Sequence, residues 1–165
     1  MNTIINLKSL YTEEELKELL THLDPYTYRW NKGYRTWIIL DTEMQPNLYT
    51  YDIKTRSWMI LNTYIKSQRG YTKNNEYLKV MYYRPNGFKV EETVHRLTHY
   101  AWTGESTQHR KGWDIDHING NIYDNRPSNL RMVTHEVNCN NKHTPERKEQ
   151  LEKCYNNKHQ VELVL

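Results

Sequence analysis

The chain is organised around residues 113–141, which read WDIDHINGNIYDNRPSNLRMVTHEVNCNN. The first six letters predict a β-strand that carries an acid and a histidine, Asp116 and His117, towards its end. A turn rich in Gly and Asn follows, then a second predicted strand over residues 131–134, after which a helix begins near His135. A β-hairpin that leads directly into a helix is therefore the predicted centre of the molecule.

Four side chains of this hairpin and helix could meet at one point. They are an acid, an imidazole and two amides, from Asp116, His117, Asn129 and Asn138. Carboxylate and amide oxygens are hard ligands that favour Mg²⁺ or Mn²⁺ and leave coordination positions open for phosphate and water. An imidazole with an unperturbed pKa of about 6.5 can accept a proton from water near neutral pH. The set therefore suits metal-assisted hydrolysis of a phosphodiester.

Each member of the set means little alone. Asn accounts for 17 of the 165 residues, so a chosen spacing meets an Asn by chance in roughly one case in ten. Asn138 by itself would be interpreted as a helix-surface residue. His135, Cys139 and His143 share a helix face, but an exposed polar helix produces that spacing easily, and whether they contribute anything stays open. Only the joint occurrence of the four side chains indicates a site.

Composition narrows the class of protein. A chain of 165 residues holds one medium domain, or a small core with an attached lobe. Mean hydropathy of −1.01 predicts a modest core, to which 14 Tyr and 5 Trp contribute. Cys139 and Cys154 form no CxxC pair, so neither a disulfide framework nor a structural zinc is expected. We expect a cytoplasmic protein, neither secreted nor membrane-bound, because there is no apolar signal core and no run of membrane-spanning length.

The net charge of +3 is mild, but its distribution is uneven. Residues 54–89 contain eight basic residues and one acid, Glu76, interleaved with aromatic side chains. This pattern is typical of a surface that contacts nucleic-acid phosphates, and a solvated sheet face is the alternative. Lys79 and Arg84 are the candidates for phosphate contact in this stretch.

The residues before the central unit predict one helix followed by strands. Thr12 and Glu15 have the spacing of a capping box, and the leucines around them fall on one helix face, so a short helix is expected before Pro25. Strands and turns are then expected as far as Glu92. The candidate strands are Arg35–Asp41, Asn47–Ile53, Trp58–Ile65, Tyr77–Arg84 and Phe88–Glu91. The predicted fold class is α+β, with a small antiparallel β lobe behind the N-terminal helix.

Two further helices are predicted on either side of the central hairpin. Residues 93–103, TVHRLTHYAWT, place apolar side chains on one side, and Gly104 ends the helix. The other helix is expected from Thr144 to about Asn157, with Pro145 in its first turn.

The motifs DHINGN, SNLRMVT and a final Asn, preceded by VHRLTHYAWTG, resemble the HNH endonucleases of the ββα-metal fold. The resemblance is closest to phage and intron-associated homing endonucleases. It is strong over residues 93–141 and weaker over 47–92, where this family often has a small β-sheet lobe that binds DNA. There is no resemblance over residues 1–30. We predict an N-terminal helix with a basic, Tyr-rich β lobe over 1–92 that binds DNA, a nuclease unit over 93–143, and a C-terminal helix and tail over 144–165.

The resemblance also implies a role for each member of the set. Asp116 resembles the first metal-binding carboxylate and His117 the general base. Asn129, twelve residues on, resembles the middle Asn that braces the motif and orients the histidine. Asn138 stands where the last His or Asn of the family supplies the second metal ligand. The resemblance implies one divalent metal, Mg²⁺ first and Mn²⁺ as the alternative. The sequence departs from the family at Asn119, where many relatives have an Asp that lies outside the catalytic set.

The expected function is a metal-dependent endonuclease that nicks or cuts double-stranded DNA. Arg96, Arg126 and Arg131 flank the expected cleft and join Lys79 and Arg84 as candidates for DNA contact. Two alternatives stay open: an HNH-fold DNA-binding or accessory protein with weak or no catalysis, and a phage RNA-binding protein that uses the basic sheet. Whether the protein is a monomer or a homodimer is also left open.

Overall fold

A computed structural model describes residues 5–65, 77–84, 86–107, 110–142 and 149 of the chain. Within these ranges the protein consists of three antiparallel sheets and three α-helices, which confirms the predicted α+β class. No helix in the described ranges is long and apolar enough to cross a membrane. The basic residues between 66 and 76 lie outside the described residues, as does almost all of the C-terminal helix predicted from Thr144.

The first sheet has five strands and carries the N-terminal helix on one face. In order of pairing its strands are β1 (Leu10–Thr12), β5 (Ser57–Ile60), β4 (Pro46–Asp52), β3 (Thr36–Leu40) and β2 (Tyr28–Asn31). Helix α1 (Glu13–His22) begins with the predicted capping box, in which Thr12 and Glu15 exchange hydrogen bonds of 3.2 and 2.9 Å. Leu16 is buried against Ile39 and Tyr49, so this helix packs on the sheet as expected.

The second sheet is attached to the opposite face of the first. It contains β6 (Tyr64–Ile65), β7 (Leu78–Tyr83) and β8 (Lys89–Thr93) and leads into α2 (Val94–Thr103). Ile38 and Leu48 of the first sheet pack against Val80, Val94 and Leu97 in a second core cluster. This cluster holds the helix that enters the functional unit in a fixed position.

Two predictions for the β lobe were wrong in detail. The single strand predicted over Trp58–Ile65 is divided into β5 and β6, which belong to different sheets. Asn62, a residue disfavoured in strands, interrupts the run between β5 and β6, and this signal was missed. Strands β1 and β2 were not predicted, because three or four residues are too few to establish an alternating pattern.

The third sheet is the predicted hairpin. Strand β9 (Trp113–His117) pairs antiparallel with β10 (Leu130–Thr134), and α3 (His135–Lys142) follows immediately. Helix α2 contacts both strands and ends at Gly104, whose φ of 73° is the left-handed conformation that glycine adopts readily. The strand–strand–helix order over these residues is the one predicted from the sequence.

Candidate active site

The hairpin register decides which side chains can meet. On β9, Asp114 and Asp116 lie on one face and Ile115 and His117 on the other, because side chains alternate along a strand. Asp116 and His117 are each 2% exposed. The side chains of the predicted metal ligand, Asp116, and the predicted general base, His117, therefore project from opposite faces at the buried end of β9.

The imidazole of His117 is held by a loop residue and two rings. Its Nε2 lies 2.9 Å from Oδ1 of Asn125, which is also buried. The rings of His95 and Tyr77 lie 5.1 and 6.0 Å from it between centroids, the first edge-on and the second stacked. Because an amide oxygen only accepts hydrogen bonds, this contact assigns the proton to Nε2 and leaves Nδ1 as the nitrogen that can take up a proton.

His95 is the neutral neighbour in this ring cluster. Burial lowers the pKa of the His95 imidazole well below its ordinary value, and the adjacent His117 lowers it further. An uncharged ring can pack against His117 without electrostatic repulsion. His95 thus supports the predicted base through packing.

The carboxylate of Asp116 is paired with the residue opposite it in the hairpin. Arg131 faces Asp116 in the β9–β10 register, and its Nε and Nη2 lie 3.1 and 3.0 Å from Asp116 Oδ2. The Arg131 side chain remains 46% exposed. The predicted DNA-contacting arginine is therefore bound to the predicted metal ligand.

Asn138 extends from α3 towards the same face of β9. Its amide nitrogen donates to Oδ2 of Asp114 at 2.9 Å, and His135 Nδ1 lies 2.8 Å from that same oxygen. Asn138 is 5% exposed, whereas the His135 side chain is 68% exposed. Cys139 Sγ lies 3.5 Å from His135 Nε2, and His143 lies outside the described residues.

Asn129 braces the loop that joins the two strands. Its Oδ1 accepts from the backbone N–H of Asn119 at 3.0 Å, and its Nδ2 donates to Asn119 Oδ1 and to the backbone oxygen of Asp124, both at 2.9 Å. These are the contacts of a brace, the first of its two predicted roles. The hydrogen bond to His117 comes from Asn125 within this loop, so Asn129 acts on the histidine by shaping the loop.

Arg126 is fixed in the same loop. Its Nε and Nη2 contact the two oxygens of Asp124 at 2.7 and 2.6 Å. Burial by itself would raise the pKa of Asp124, but the hydrogen bonds from Arg126 and Asn119 outweigh it and lower that pKa. This second predicted DNA-contacting arginine also has a carboxylate partner.

A cleft of about 440 Å³ opens between β7, the start of α2, β9 and α3. Its walls include Tyr77, His95 and Asn138, so it borders the ring cluster and the α3 amide. Two predicted DNA-contacting residues, Lys79 and Arg96, line it, and each pairs with an acid, at 3.3 Å to Glu91 and 3.8 Å to Glu92.

Arg84, the fifth predicted DNA-contacting residue, lies elsewhere. It lines a larger groove of about 810 Å³ at the hairpin ends of the β lobe, together with Trp30 and Tyr51, each 40% exposed. The lining of this groove includes no member of the predicted set, whereas Asn138 lines the smaller cleft, which is therefore the candidate active site. The five cations predicted to contact DNA therefore do not form one surface.

Residues 92–139 match a family model described as HNH endonuclease. These residues form an HNH unit. The match includes all four members of the predicted set and confirms the family resemblance over that range. The chain is also similar to a solved structure described as DNA binding and cleavage by the HNH homing endonuclease I-HmuI, at 22% identity and a TM-score of 0.47, covering 78% of this chain and 67% of that one. No curated protein matches the chain.

The ligands that the HNH unit offers fit a hard divalent cation. Asp116 and Asn138 would supply one carboxylate oxygen and one amide oxygen, and Mg²⁺ commonly takes few protein ligands and keeps the rest of its shell for water and phosphate. Among the described residues, no group of three or more His, Cys, Asp or Glu is placed to hold a metal. The set thus offers oxygen ligands to a hard cation, with the remaining coordination positions left for water and phosphate.

Two contacts of the HNH unit were missed by sequence reasoning. Asn125 gives no local signal, since it is one of several Asn residues in the loop. Asp114 could have been found, because it stands two residues before Asp116 and strand alternation places both on one face.

Proposed function

We propose that the chain is a metal-dependent endonuclease that hydrolyses phosphodiester bonds in double-stranded DNA. The observation that supports this most directly is the setting of His117 within the HNH unit. Its Nε2 faces Asn125 Oδ1 at 2.9 Å, and the rings packed on it, His95 and Tyr77, line the cleft. His117 itself is 2% exposed and does not line the cleft, so in this proposal water and substrate reach it past these two rings.

In this proposal His117 is the general base. Nδ1 takes a proton from the attacking water, while the contact with Asn125 keeps the ring in one orientation and one tautomer. Asn129 braces the loop that presents Asn125. General-base assistance of this type contributes roughly 10²–10⁴ in rate.

Asp116 and Asn138 would hold one divalent metal, Mg²⁺ in the first instance and Mn²⁺ as the alternative. When bound, this ion supplies Lewis-acid stabilisation of the charge that develops on the phosphate and the leaving oxygen. Arg131 holds the Asp116 carboxylate in place through two contacts with Oδ2. Its half-exposed guanidinium also provides donors that suit a phosphate oxygen.

We assign DNA positioning to residues 1–92 and catalysis to residues 93–143. Lys79 and Arg96 line the cleft, although each has a carboxylate partner. The Arg96 side chain is 48% exposed, so in this proposal DNA phosphates compete with Glu92 for it. Lys79 is 15% exposed and reaches a phosphate only if its pair with Glu91 opens.

The test is conversion of supercoiled plasmid DNA with Mg²⁺ or Mn²⁺, and with chelator, by the wild type and His117→Ala. Open circles that require both the metal and His117 would identify a nicking enzyme, and linear product would indicate coupled cuts. His22→Ala, which removes an exposed histidine from the end of α1, should behave like the wild type. Full turnover by His117→Ala would exclude this residue as the base.

One observation favours a second candidate, an HNH-fold protein that binds DNA without cutting it. Arg131 already occupies Oδ2 of Asp116, and His117 is buried behind Tyr77. DNA binding with no conversion of plasmid under either metal would support that candidate. RNA binding by the basic β lobe, without metal-dependent cleavage, would support the remaining alternative, an RNA-binding protein.

A further inference from the structure

Asp114 is a carboxylate of the cleft wall to which the mechanism above gives no role. It lies two residues before Asp116 on the same face of β9. Its Oδ2 accepts from the side-chain amide of Asn138 at 2.9 Å. The Asp114 side chain is 31% exposed, while Asn138 is 5% exposed. A cleft-facing acid thus contacts a buried amide on the neighbouring helix.

The contact matters because an amide has two different ends of nearly equal size. Only the oxygen of Asn138 can bind a cation, and rotation of the amide by half a turn would present its NH₂ group in that place. An ionised carboxylate accepts hydrogen bonds and does not donate them. With Asp114 on one side of the amide, the nitrogen must face Asp114, and the oxygen is the atom left for a metal.

We propose that Asp114 is a positioning residue: it holds the nitrogen end of Asn138 and so presents Asn138 Oδ1 to the divalent metal. This inference rests on the proposed function, in which Asp116 and Asn138 are the metal ligands. His135 reaches the same oxygen of Asp114 at 2.8 Å from the exposed side of α3. His135 therefore steadies the carboxylate, while Asp114 alone orients the amide.

This role is tested by measuring how tightly the full-length protein binds Mn²⁺ in the absence of DNA. The measurement uses titration calorimetry or the electron spin resonance signal of free Mn²⁺. Removal of the hydrogen-bonding partner of a metal ligand typically weakens metal affinity about 10–100-fold, and we expect Asp114→Ala to fall in that range. His22→Ala, at the exposed end of α1, should bind Mn²⁺ like the wild type. All variants are compared by their melting curves to confirm that they are folded.

The decisive comparison repeats Asp114→Ala in an Asn138→Asp background. A carboxylate at position 138 offers an oxygen at either end, so there is no amide left to orient. Loss of Asp114 should then leave Mn²⁺ affinity unchanged, because a carboxylate at position 138 presents an oxygen whichever way it is turned. A role of Asp114 in general electrostatic attraction, or in folding alone, would weaken binding in both backgrounds and would overturn the inference.

Asp114→Asn provides a second route if the Ala variant does not fold. It has the same size but can present either amide atom to Asn138, so it should weaken Mn²⁺ binding in the wild-type background and not with Asp at position 138. Wild-type affinity in both Asp114 variants would overturn the inference while leaving the metal site intact. Unchanged affinity in Asp116→Ala and Asn138→Ala would instead overturn the metal assignment itself, and the role of Asp114 with it.

Discussion

The β lobe and the HNH unit are stabilised by different kinds of contact. The lobe is built on two apolar clusters, with Ile38, Ile39, Leu40 and Tyr49 fully buried in the first sheet. Among the described residues, the hairpin, its loop and α3 bury only the apolar side chains of Ile115, Leu130 and Val133, together with a larger set of polar side chains. These are Asp116, His117, Asp124, Asn125, Asn129 and Asn138.

This difference has a physical consequence. Apolar burial is non-directional and roughly proportional to area, so the lobe depends on volume and packing. A buried polar network depends on the direction of every hydrogen bond, and one lost partner leaves another group unsatisfied. Apolar packing therefore stabilises the lobe, whereas directional hydrogen bonds fix the orientations of the polar side chains in the HNH unit.

The largest expected change in the free energy of unfolding comes from the apolar core of the β lobe. Ile39→Ala should lower the free energy of unfolding by about 2–5 kcal/mol, because it opens a cavity beneath α1. Denaturant unfolding measures the change. Ile53→Ala, at a site that is 64% exposed, is the matched control and should alter stability little. An equal loss in both variants would contradict the placement of the core.

In the polar network of the HNH unit, removal of a single amide side chain should already lower stability. Asn129→Ala should cost about 1–3 kcal/mol, since it leaves the buried oxygen of Asp124 and the N–H of Asn119 without their partner. It should also slow cleavage by loosening the loop that carries Asn125. Asn47→Ala removes an amide from the lobe, where its bonds are 3.2 and 3.5 Å long, and should cost much less. If the Asn47 variant lost as much stability, the contrast between the two regions would fail.

Acid should weaken the HNH unit through His95. Since the folded-state pKa of His95 is depressed, the unfolded chain binds a proton that the folded chain does not once the pH falls below the unfolded value of about 6.5. The stabilisation is complete above that pH and decreases below it. His95→Phe keeps an aromatic ring and should lose less stability than the wild type between about pH 7.5 and 5.5, whereas His22→Ala should follow the wild type. Identical pH profiles for His95→Phe and the wild type would refute this.

The smallest expected effect concerns DNA affinity. Joint replacement of Lys79 and Arg84 by Ala should weaken binding and reduce the slope of log affinity against log salt by about 2, one for each phosphate contact. Because these residues line different clefts, the single variants show which cleft faces DNA. Lys17→Ala, on exposed α1, serves as the control. An unaltered slope would move the DNA surface elsewhere.

Much of the secondary structure follows from signals between near neighbours in the chain. The capping box at Thr12 and Glu15, the glycine at the end of α2 and the strand–turn–strand pattern from Trp113 each depend on residues a few positions apart. The division between β5 and β6 has only a weak signal of this kind, Asn62 between them, and the sheet that each strand joins depends on tertiary packing.

The sequence by itself determined the fold class, the hairpin and helix of the HNH unit, and the four residues of the candidate set, because spacing along the chain specifies them. The tertiary structure alone decided their partners: Asn125 for His117, Arg131 for Asp116 and Asp114 for Asn138. Those pairings depend on strand register, on how the loop closes and on where α3 lies. Residues 8, 15 and 24 positions apart meet only after folding, and in a chain with 17 Asn residues, composition cannot tell which amide will reach which site.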